Sequence, residues 1–146
     1  MKIGVPKEIK NHEYRVGLTP ESVKEIIKNN HQVFIQKDAG SEIGFSNESY
    51  EGAGATIIDN AKELYKASEL IVKVKEPIPE EFKYLNSKHT VFAYLHLAGD
   101  PETGLELAST GITGIALETV TADNGTMPLV SLMSAIAGQL SVVVGS

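Results

Sequence analysis

The sequence predicts a doubly wound α/β fold with a mostly parallel sheet, of the Rossmann or flavodoxin-like kind. Strand-like and helix-like segments alternate along the 146 residues, which is typical of helical crossovers between parallel strands. Three of the strands, over residues 70–75, 90–96 and 111–120, are nearly continuous apolar runs. Strands covered by helices on both faces have that composition, so we expect all three to be buried on both sides.

The first part of the chain begins with a short strand and a capped helix. Residues 2–5 form an apolar run that Pro6 ends, because proline has no amide hydrogen to give a neighbouring strand. The Thr-Pro-Glu triplet at 19–21 supplies a capping hydroxyl, a proline for the first turn and an acid near the positive end of the helix dipole. A strand is predicted at 32–36. Residues 38–54, rich in glycine, serine and asparagine, are expected to form a loop with at most a single helical turn.

The remaining elements follow the same alternation. Apolar residues recur every four positions near the end of the chain, which predicts a helix there. A turn is expected at 122–125, where the sequence reads ADNG. The predicted helices are 60–67, 79–85, 100–109 and 129–146, and the predicted strands are 55–58, 70–75, 90–96 and 111–120.

The composition excludes several classes of function. Lysine and arginine number 13 against 19 aspartates and glutamates, and a net charge of −6 argues against a nucleic-acid or anionic-membrane surface. The chain has no cysteine, which excludes disulfides, thiolate metal sites and a cysteine nucleophile. The first residues lack the apolar core of a signal peptide, and no apolar run reaches about 18 residues. We therefore expect a cytoplasmic protein without membrane contact.

Reactive side chains follow three of the predicted strands. Arg15 lies in the loop after the first strand, Lys75 ends the strand at 70–75, and His96 ends the strand at 90–96. Open α/β sheets bind ligands at the carboxyl ends of their strands, near the point where strand order reverses. If the first and fourth strands flank that point, Arg15, Lys75 and His96 lie on one rim.

The chemistry of these three side chains suits a small acid. Arg15 offers a planar fork for a carboxylate, Lys75 a point charge for a carbonyl or carboxylate oxygen, and His96 a proton carrier near neutral pH. Together they favour a 2-oxo or 2-amino acid. Each also has a structural alternative: a solvated arginine, a lysine that extends from a strand end, as we expect for Lys73, and a histidine that only donates hydrogen bonds.

Other sites are not supported by the sequence. The only G-x-G lies at 52–54 and is followed by Ile57, so the dinucleotide fingerprint G-x-G-x-x-G is incomplete. There is no P-loop and no G-x-S-x-G, and no histidine pair has the spacing of a zinc motif. We expect His12, His31 and His89 to be solvated, and no metal site.

Five segments of the chain form a distinctive combination. They are MKIGVPKEIK with YRVGLTPE at 1–21, IVKVKEP at 71–77, YLHLAGD at 94–100, ALETV at 116–120 and MPLVSLMSAIAG at 127–138. Together they resemble the alanine dehydrogenase family, which shares its fold with the alpha portion of NAD(P) transhydrogenase. Lys75 and His96 within their motifs favour the dehydrogenase over the transhydrogenase.

The resemblance implies an NAD-dependent conversion of L-alanine to pyruvate and ammonia by a homohexamer. It implies that Arg15 and Lys75 bind the substrate, that His96 is the general acid/base, and that Ser134 contacts the cofactor. The usual SEVAGR motif is altered here, since Ala135 and Gln139 replace its glutamate and arginine.

Members of the family continue into a Rossmann domain that supplies the NAD site and a catalytic aspartate. We therefore expect a substrate domain at 1–128, the start of an interdomain helix at 129–146, and no turnover by this chain alone. A stand-alone module that binds a 2-oxo acid, the alpha portion of a transhydrogenase and a folded remnant without function remain alternatives.

Overall fold

A computed structural model describes residues 1–145, with the side chain of Val143 excepted. Six parallel strands form one sheet in the order β3-β2-β1-β4-β5-β6. This order confirms the predicted fold class and places β1 beside β4. The strands are β1 Lys2–Val5, β2 Gln32–Gln36, β3 Thr56–Ile58, β4 Leu70–Lys75, β5 Thr90–Tyr94 and β6 Thr113–Ala116.

Six α-helices connect or flank these strands, and two of them begin at the predicted caps Thr19 and Asp100. The side chain of Thr19 accepts a hydrogen bond from the amide of Ser22 at 3.3 Å, and Asp100 accepts one from the amide of Thr103 at 3.1 Å. Each bond satisfies an amide that the first helical turn leaves unpaired. The helices are α1 Pro20–Lys28, α2 Asn47–Gly52, α3 Ala61–Ala67, α4 Pro79–Phe82, α5 Pro101–Ser109 and α6 Pro128–Val144.

Two apolar clusters hold the helices against the sheet. The first contains buried residues of β1 and β2 with Val23 of α1 and Tyr50 of α2. The second contains Leu64 of α3 and Leu107 of α5, packed on the buried residues of β4 and β5. Beyond these clusters, polar loops follow the carboxyl ends of the central strands.

Several predicted elements differ from the structure: the predicted strand 90–96 ends at Tyr94, and the predicted helix 79–85 ends at Phe82. The expectation that β6 is buried on both faces is wrong: it is an edge strand, and Ile115 is 43% exposed. It also ends at Ala116, where a 3₁₀ turn over Leu117–Thr119 replaces the predicted strand. The stretch 38–54 contains a 3₁₀ turn, Ser41–Ile43, and the helix α2 rather than a single helical turn, because Ser46 caps α2 through the amide of Ser49.

The last helix is predominantly apolar and exposed. Leu132, Ile136 and Leu140 are between 48% and 67% exposed along its predicted apolar face. No helix within residues 1–145 is both long and apolar enough to cross a lipid bilayer. Ser146, the last residue of the predicted 129–146 helix, lies outside the described residues.

Candidate functional site

A cavity of about 300 Å³ opens at the carboxyl ends of β4 and β5. It lies beside the junction of β1 and β4, where strand order reverses. The structure brings Arg15, Lys75 and His96 together on its wall, as the positions of their strands predict. The full lining is Arg15, Lys75, Tyr94, His96, Glu118, Val130 and Met133.

Arg15 lies in the long loop between β1 and α1, and the end of this loop is fixed to its neighbours. The hydroxyl of Tyr50 donates a hydrogen bond of 2.8 Å to the carbonyl oxygen of Leu18. Burial raises the pKa of Tyr50 to about 12, so this donor keeps its proton at neutral pH. A Cβ atom on Gly17 would lie 2.6 Å from the carbonyl oxygen of Val72, so only glycine lets the loop approach β4 this closely.

Glu13 holds one edge of the Arg15 guanidinium. Its Oε1 atom accepts a hydrogen bond from Nε at 2.8 Å, and its Oε2 atom accepts one from Nη2 at 2.6 Å. The hydrogen bonds from Arg15 hold the pKa of Glu13 below its ordinary value. The other edge keeps the Nη1 hydrogens, and Nη1 lies 3.9 Å from the sulfur of Met133. That edge has the fork geometry that suits a second carboxylate.

Lys75 ends β4 on the same cavity, and within residues 1–145 no carboxylate forms a salt bridge with it. The pairing of β4 with β5 is irregular here, since the register shifts between Val72 and Lys75. Such a shift bends a strand and redirects the side chains at its end. Among the described residues, the ammonium group of Lys75 is therefore a positive charge without a salt-bridge partner.

Lys73 corrects one expectation. It does not extend into solvent but is 1% exposed, and its Nζ donates to Glu8 Oε2 at 3.1 Å and to Glu81 Oε1 at 2.9 Å. Both carboxylates are themselves buried. The hydroxyl of Tyr65 donates a further bond of 2.7 Å to Glu81 Oε1. A buried lysine needs such partners, because an unpaired charge in the interior is very costly.

Glu8 also connects the loop that carries Arg15 to the strand that carries Lys75. Its Oε1 atom accepts a hydrogen bond of 2.7 Å from the amide of Val74, next to Lys75 in β4. Burial raises the pKa of Glu8 in spite of the attraction of Lys73. The buried cluster Glu8, Lys73, Glu81 and Tyr65 is thus joined, through Val74, to the end of β4 that carries Lys75.

His96 has a strained backbone that Glu118 stabilises. Its φ of 49° lies in the left-handed region, which non-glycine residues rarely adopt. The carboxylate of Glu118 accepts hydrogen bonds from the amide of His96 at 2.6 Å and from the amide of Leu95 at 3.2 Å. A Cβ atom on Gly99 would lie 2.2 Å from His96 Nε2, so the ring occupies space that only glycine leaves free.

Two acidic residues of the site were not predicted from the sequence. Glu118 follows β6 in the segment ALETV, and the rule that placed Lys75 and His96 at strand ends applies to it equally. Glu13 stands two residues before Arg15, and no local pattern distinguishes an acid that holds a neighbouring arginine from a solvated one. The structure shows Glu118 in the cavity lining and Glu13 hydrogen-bonded to Arg15.

The other histidines lie away from the cavity. His12 is exposed, and His31 is half-buried with Nδ1 3.2 Å from the amino group of Met1. The expectation that His89 is solvated is wrong, because it is 4% exposed. Its Nδ1 accepts from the amide of Asn86 at 3.1 Å and its Nε2 lies 2.9 Å from the carbonyl oxygen of Tyr65. These partners fix a neutral ring that carries its proton on Nε2.

Ser134 lies on α6 next to Met133 but is not part of the cavity lining. α6 is attached to the cavity by the Tyr94 hydroxyl, which donates a hydrogen bond of 2.8 Å to the carbonyl oxygen of Leu129. Val130 and Met133 thereby form an apolar side of the cavity. Residues 1–145 contain no group of three or more side chains arranged to hold a metal ion.

Comparison with known families assigns the chain. Residues 4–137 match the family described as alanine dehydrogenase/PNT, N-terminal domain. The chain belongs to this family. Arg15, Lys75, His96 and Ser134 all lie within the matched residues, so the cavity is a feature of this N-terminal domain.

Individual relatives agree with the family. Over 146 residues the chain is 48% identical to the alanine dehydrogenase of Bacillus subtilis and 47% identical to that of Halomonas elongata. These alignments cover 100% of this chain but only 38% and 39% of the relatives. The chain therefore spans about two fifths of the length of the curated relatives it matches.

Solved structures give the same result. An L-alanine dehydrogenase superposes with a TM-score of 0.93 at 47% identity, over 99% of this chain and 40% of that one. A transhydrogenase from Sinorhizobium meliloti superposes with a TM-score of 0.75 at 28% identity, over 81% of this chain and 35% of that one. The likeness to the dehydrogenase is greater in both identity and extent.

Proposed function

We propose that this chain is the substrate-binding part of an NAD-dependent alanine dehydrogenase. The reaction converts L-alanine, NAD⁺ and water to pyruvate, ammonium, NADH and a proton. One observation carries the proposal: Arg15, Lys75 and His96 line a single cavity in a domain whose full-length relatives are alanine dehydrogenases. Residues 1–128 form the substrate domain, and the remainder of α6, up to Val144, begins the interdomain helix.

Arg15 and Lys75 bind the acid group of the substrate. The edge of Arg15 that faces away from Glu13 binds the carboxylate through two parallel hydrogen bonds. Lys75 contributes a positive charge near a carboxylate or carbonyl oxygen. Because Glu13 already holds the Nε edge of Arg15, the guanidinium needs little reorganisation when the substrate arrives.

His96 transfers protons at the substrate. In the direction of oxidation it removes a proton from the nitrogen or oxygen on C2, and in the reverse direction it returns one. Glu118 acts through the backbone of His96 and positions it. The hydride acceptor for C2 would be supplied by NAD when it is bound. Of the residues described, Ser134 would contact it from α6, where Val130 and Met133 offer an apolar surface for a nicotinamide ring.

The intact enzyme acts in the cytoplasm as a homo-oligomer, which the family resemblance gives as a homohexamer. A chimera tests the whole activity: these 146 residues replace the aligned residues of the Bacillus subtilis enzyme, which match them over the full length. We expect alanine-dependent reduction of NAD⁺, and a loss of kcat by about a hundredfold or more for His96→Ala. A folded chimera that oxidises no amino acid would refute the proposal.

Binding to the chain itself is tested by NMR. Pyruvate is titrated into ¹⁵N-labelled protein, with propionate and acetone as controls that lack the carbonyl and the carboxylate respectively. We expect saturable shifts around Arg15, Lys75 and His96 for pyruvate and weaker effects for both controls. Equal responses to all three compounds would contradict a site for a 2-oxo acid.

A further inference from the structure

A second cavity lies at the opposite end of the sheet from the substrate site. It has a volume of about 520 Å³ and lies where α3 and the connection between α4 and β5 meet the amino ends of β4 and β5. β4 has six residues, so about 20 Å of strand separates this cavity from Lys75. A ligand here cannot touch the proposed substrate. The cavity is lined by Lys62, Lys66, Ser68, Lys83, Tyr84, Asn86, Lys88 and His89.

The charge of this cavity is opposite to that of the chain. The sequence has 19 acidic residues and a net charge of −6, yet the lining contains four lysines and no carboxylate within the described residues. Within residues 1–145 none of these lysines forms a salt bridge. Lys62 and Lys66 lie four residues apart on α3, a spacing at which like charges destabilise a helix. A bound anion would relieve this repulsion.

Several lining residues of the connection between α4 and β5 are held in place by their neighbours. His89 is held as a neutral ring by Asn86 and Tyr65, so it adds no charge and fixes the loop that carries Lys88. Tyr84 stacks on Tyr65 with ring centroids 5.5 Å apart. The ammonium group of Lys83 lies 5.1 Å from the centroid of the Tyr84 ring. Lys83 thus packs against the fixed ring of Tyr84, and Lys88 precedes the fixed ring of His89 in the chain.

We propose that this lysine cavity binds a small anion that carries two or more linked phosphate groups, such as a polyphosphate or the phosphate chain of a nucleotide. Four ammonium groups around one cavity match a compact ligand of several negative charges, and a single carboxylate would leave most of them unneutralised. The proposal goes beyond the dehydrogenase function, and neither depends on the other.

The test is an NMR titration of the ¹⁵N-labelled chain with inorganic tripolyphosphate at near-physiological salt. Lys66→Gln/Lys88→Gln removes two of the four charges. The matched control Lys24→Gln/Lys37→Gln removes two exposed lysines elsewhere. Lys66 and Lys88 are exposed as well, so neither variant is expected to impair folding.

We expect saturable shifts in α3 and in residues 83–89, weakened about tenfold in Lys66→Gln/Lys88→Gln and unchanged in the control variant. The absence of saturable shifts at millimolar tripolyphosphate would overturn the proposal. An equal loss in both variants would also overturn it, because it would indicate only nonspecific attraction. Poly-L-glutamate serves as a second probe: tighter binding of it than of tripolyphosphate would assign the cavity to an acidic polypeptide instead.

Discussion

Strand β4 carries two lysines two residues apart, and their surroundings differ completely. Lys73 is 1% exposed and donates to two buried carboxylates, of Glu8 and Glu81. Lys75 lines the cavity with Arg15 and His96 and, within residues 1–145, forms no salt bridge. The same residue type on the same strand is neutralised inside the protein at one position and left for a ligand at the other.

This difference separates two roles of a positive charge. A buried lysine with its counter-charges around it is needed for the fold, because removal of either sign leaves the other unpaired in a medium of low dielectric constant. A lysine without a protein partner at a cavity contributes little to stability and attracts anions. The contrast can be tested by changing each lysine in the same way.

The largest effect is expected for Lys73→Met. It leaves Glu8 and Glu81 buried without a cation, and we expect the free energy of unfolding to fall by about 3–5 kcal/mol. Lys75→Met, the matched control on the same strand, should change it by about 0.5 kcal/mol or less. Urea denaturation followed by circular dichroism measures both. Equal stability of the two variants would contradict the assignment of Lys73 as the structural cation.

A triple variant sharpens this result. Glu8→Gln/Lys73→Met/Glu81→Gln removes all three charges together, so no charge remains unpaired. We expect it to recover most of the stability that Lys73→Met loses. If it is no more stable than Lys73→Met, packing of the lysine stem rather than its charge determines the loss.

The next effect concerns Lys75 and ligand binding. Lys75→Gln should weaken pyruvate binding by about tenfold to a hundredfold, because one charge-assisted contact is lost. Lys2→Gln, which removes an exposed lysine at the amino end of β1, the edge of the sheet opposite the cavity, should leave the affinity unchanged. NMR titration of both variants gives the two Kd values. An unchanged affinity in Lys75→Gln would show that Arg15 alone binds the acid.

A smaller effect concerns the backbone at His96, whose φ is 49°. Both His96→Gly and His96→Ala remove the imidazole, but only glycine adopts this conformation without strain. We expect His96→Gly to be more stable than His96→Ala by about 1 kcal/mol. Urea denaturation of the two variants checks this. The reverse order of stability would mean that the backbone relaxes once the imidazole is gone.

The smallest effects are pH dependences of opposite sign. The pKa of Glu13 is lowered by Arg15. Glu13 therefore stabilises the fold fully at pH values above the ordinary glutamate pKa of about 4.3, and this stabilisation is lost as the pH falls through the lowered pKa. The pKa of Glu8 is raised by burial. The contribution of Glu8 to the stability of the fold therefore decreases as the pH rises from the ordinary glutamate pKa through the raised pKa. NMR titration of the two carboxyl carbons measures both directly. A shift of both pKa values in one direction would refute the assigned surroundings.

The location of the candidate site can largely be predicted from the sequence. Strand ends and helix caps depend on neighbouring residues, and so the positions of Arg15, Lys75 and His96 at one end of the sheet followed from local patterns. The order of the strands, on which their convergence depended, was an assumption that the pairing of β1 with β4 confirms. Their catalytic and binding roles remain predictions.

What the sequence did not reveal depends on contacts between distant residues. The burial of Lys73 is not visible locally, because one partner, Glu8, lies 65 positions away and the other, Glu81, lies beyond the end of β4. His89 was misinterpreted because its polar neighbours indicated a solvated loop, whereas the loop turns it onto the carbonyl of Tyr65, 24 positions away. An apolar run alone also cannot separate a central strand from an edge strand such as β6.

The seam between β1 and β4 lies next to the cavity, so a bound ligand also affects the stability of the sheet. The ladder there pairs only Ile3 with Leu70 and Gly4 with Ile71, and Arg15 follows one side of the seam while Lys75 ends the other. A ligand held by both side chains would fasten the two halves of the sheet together. Hydrogen exchange of the amides along this seam should therefore slow when the cavity is filled. Substrate binding would then stabilise the pairing of β1 with β4 before any chemical step occurs.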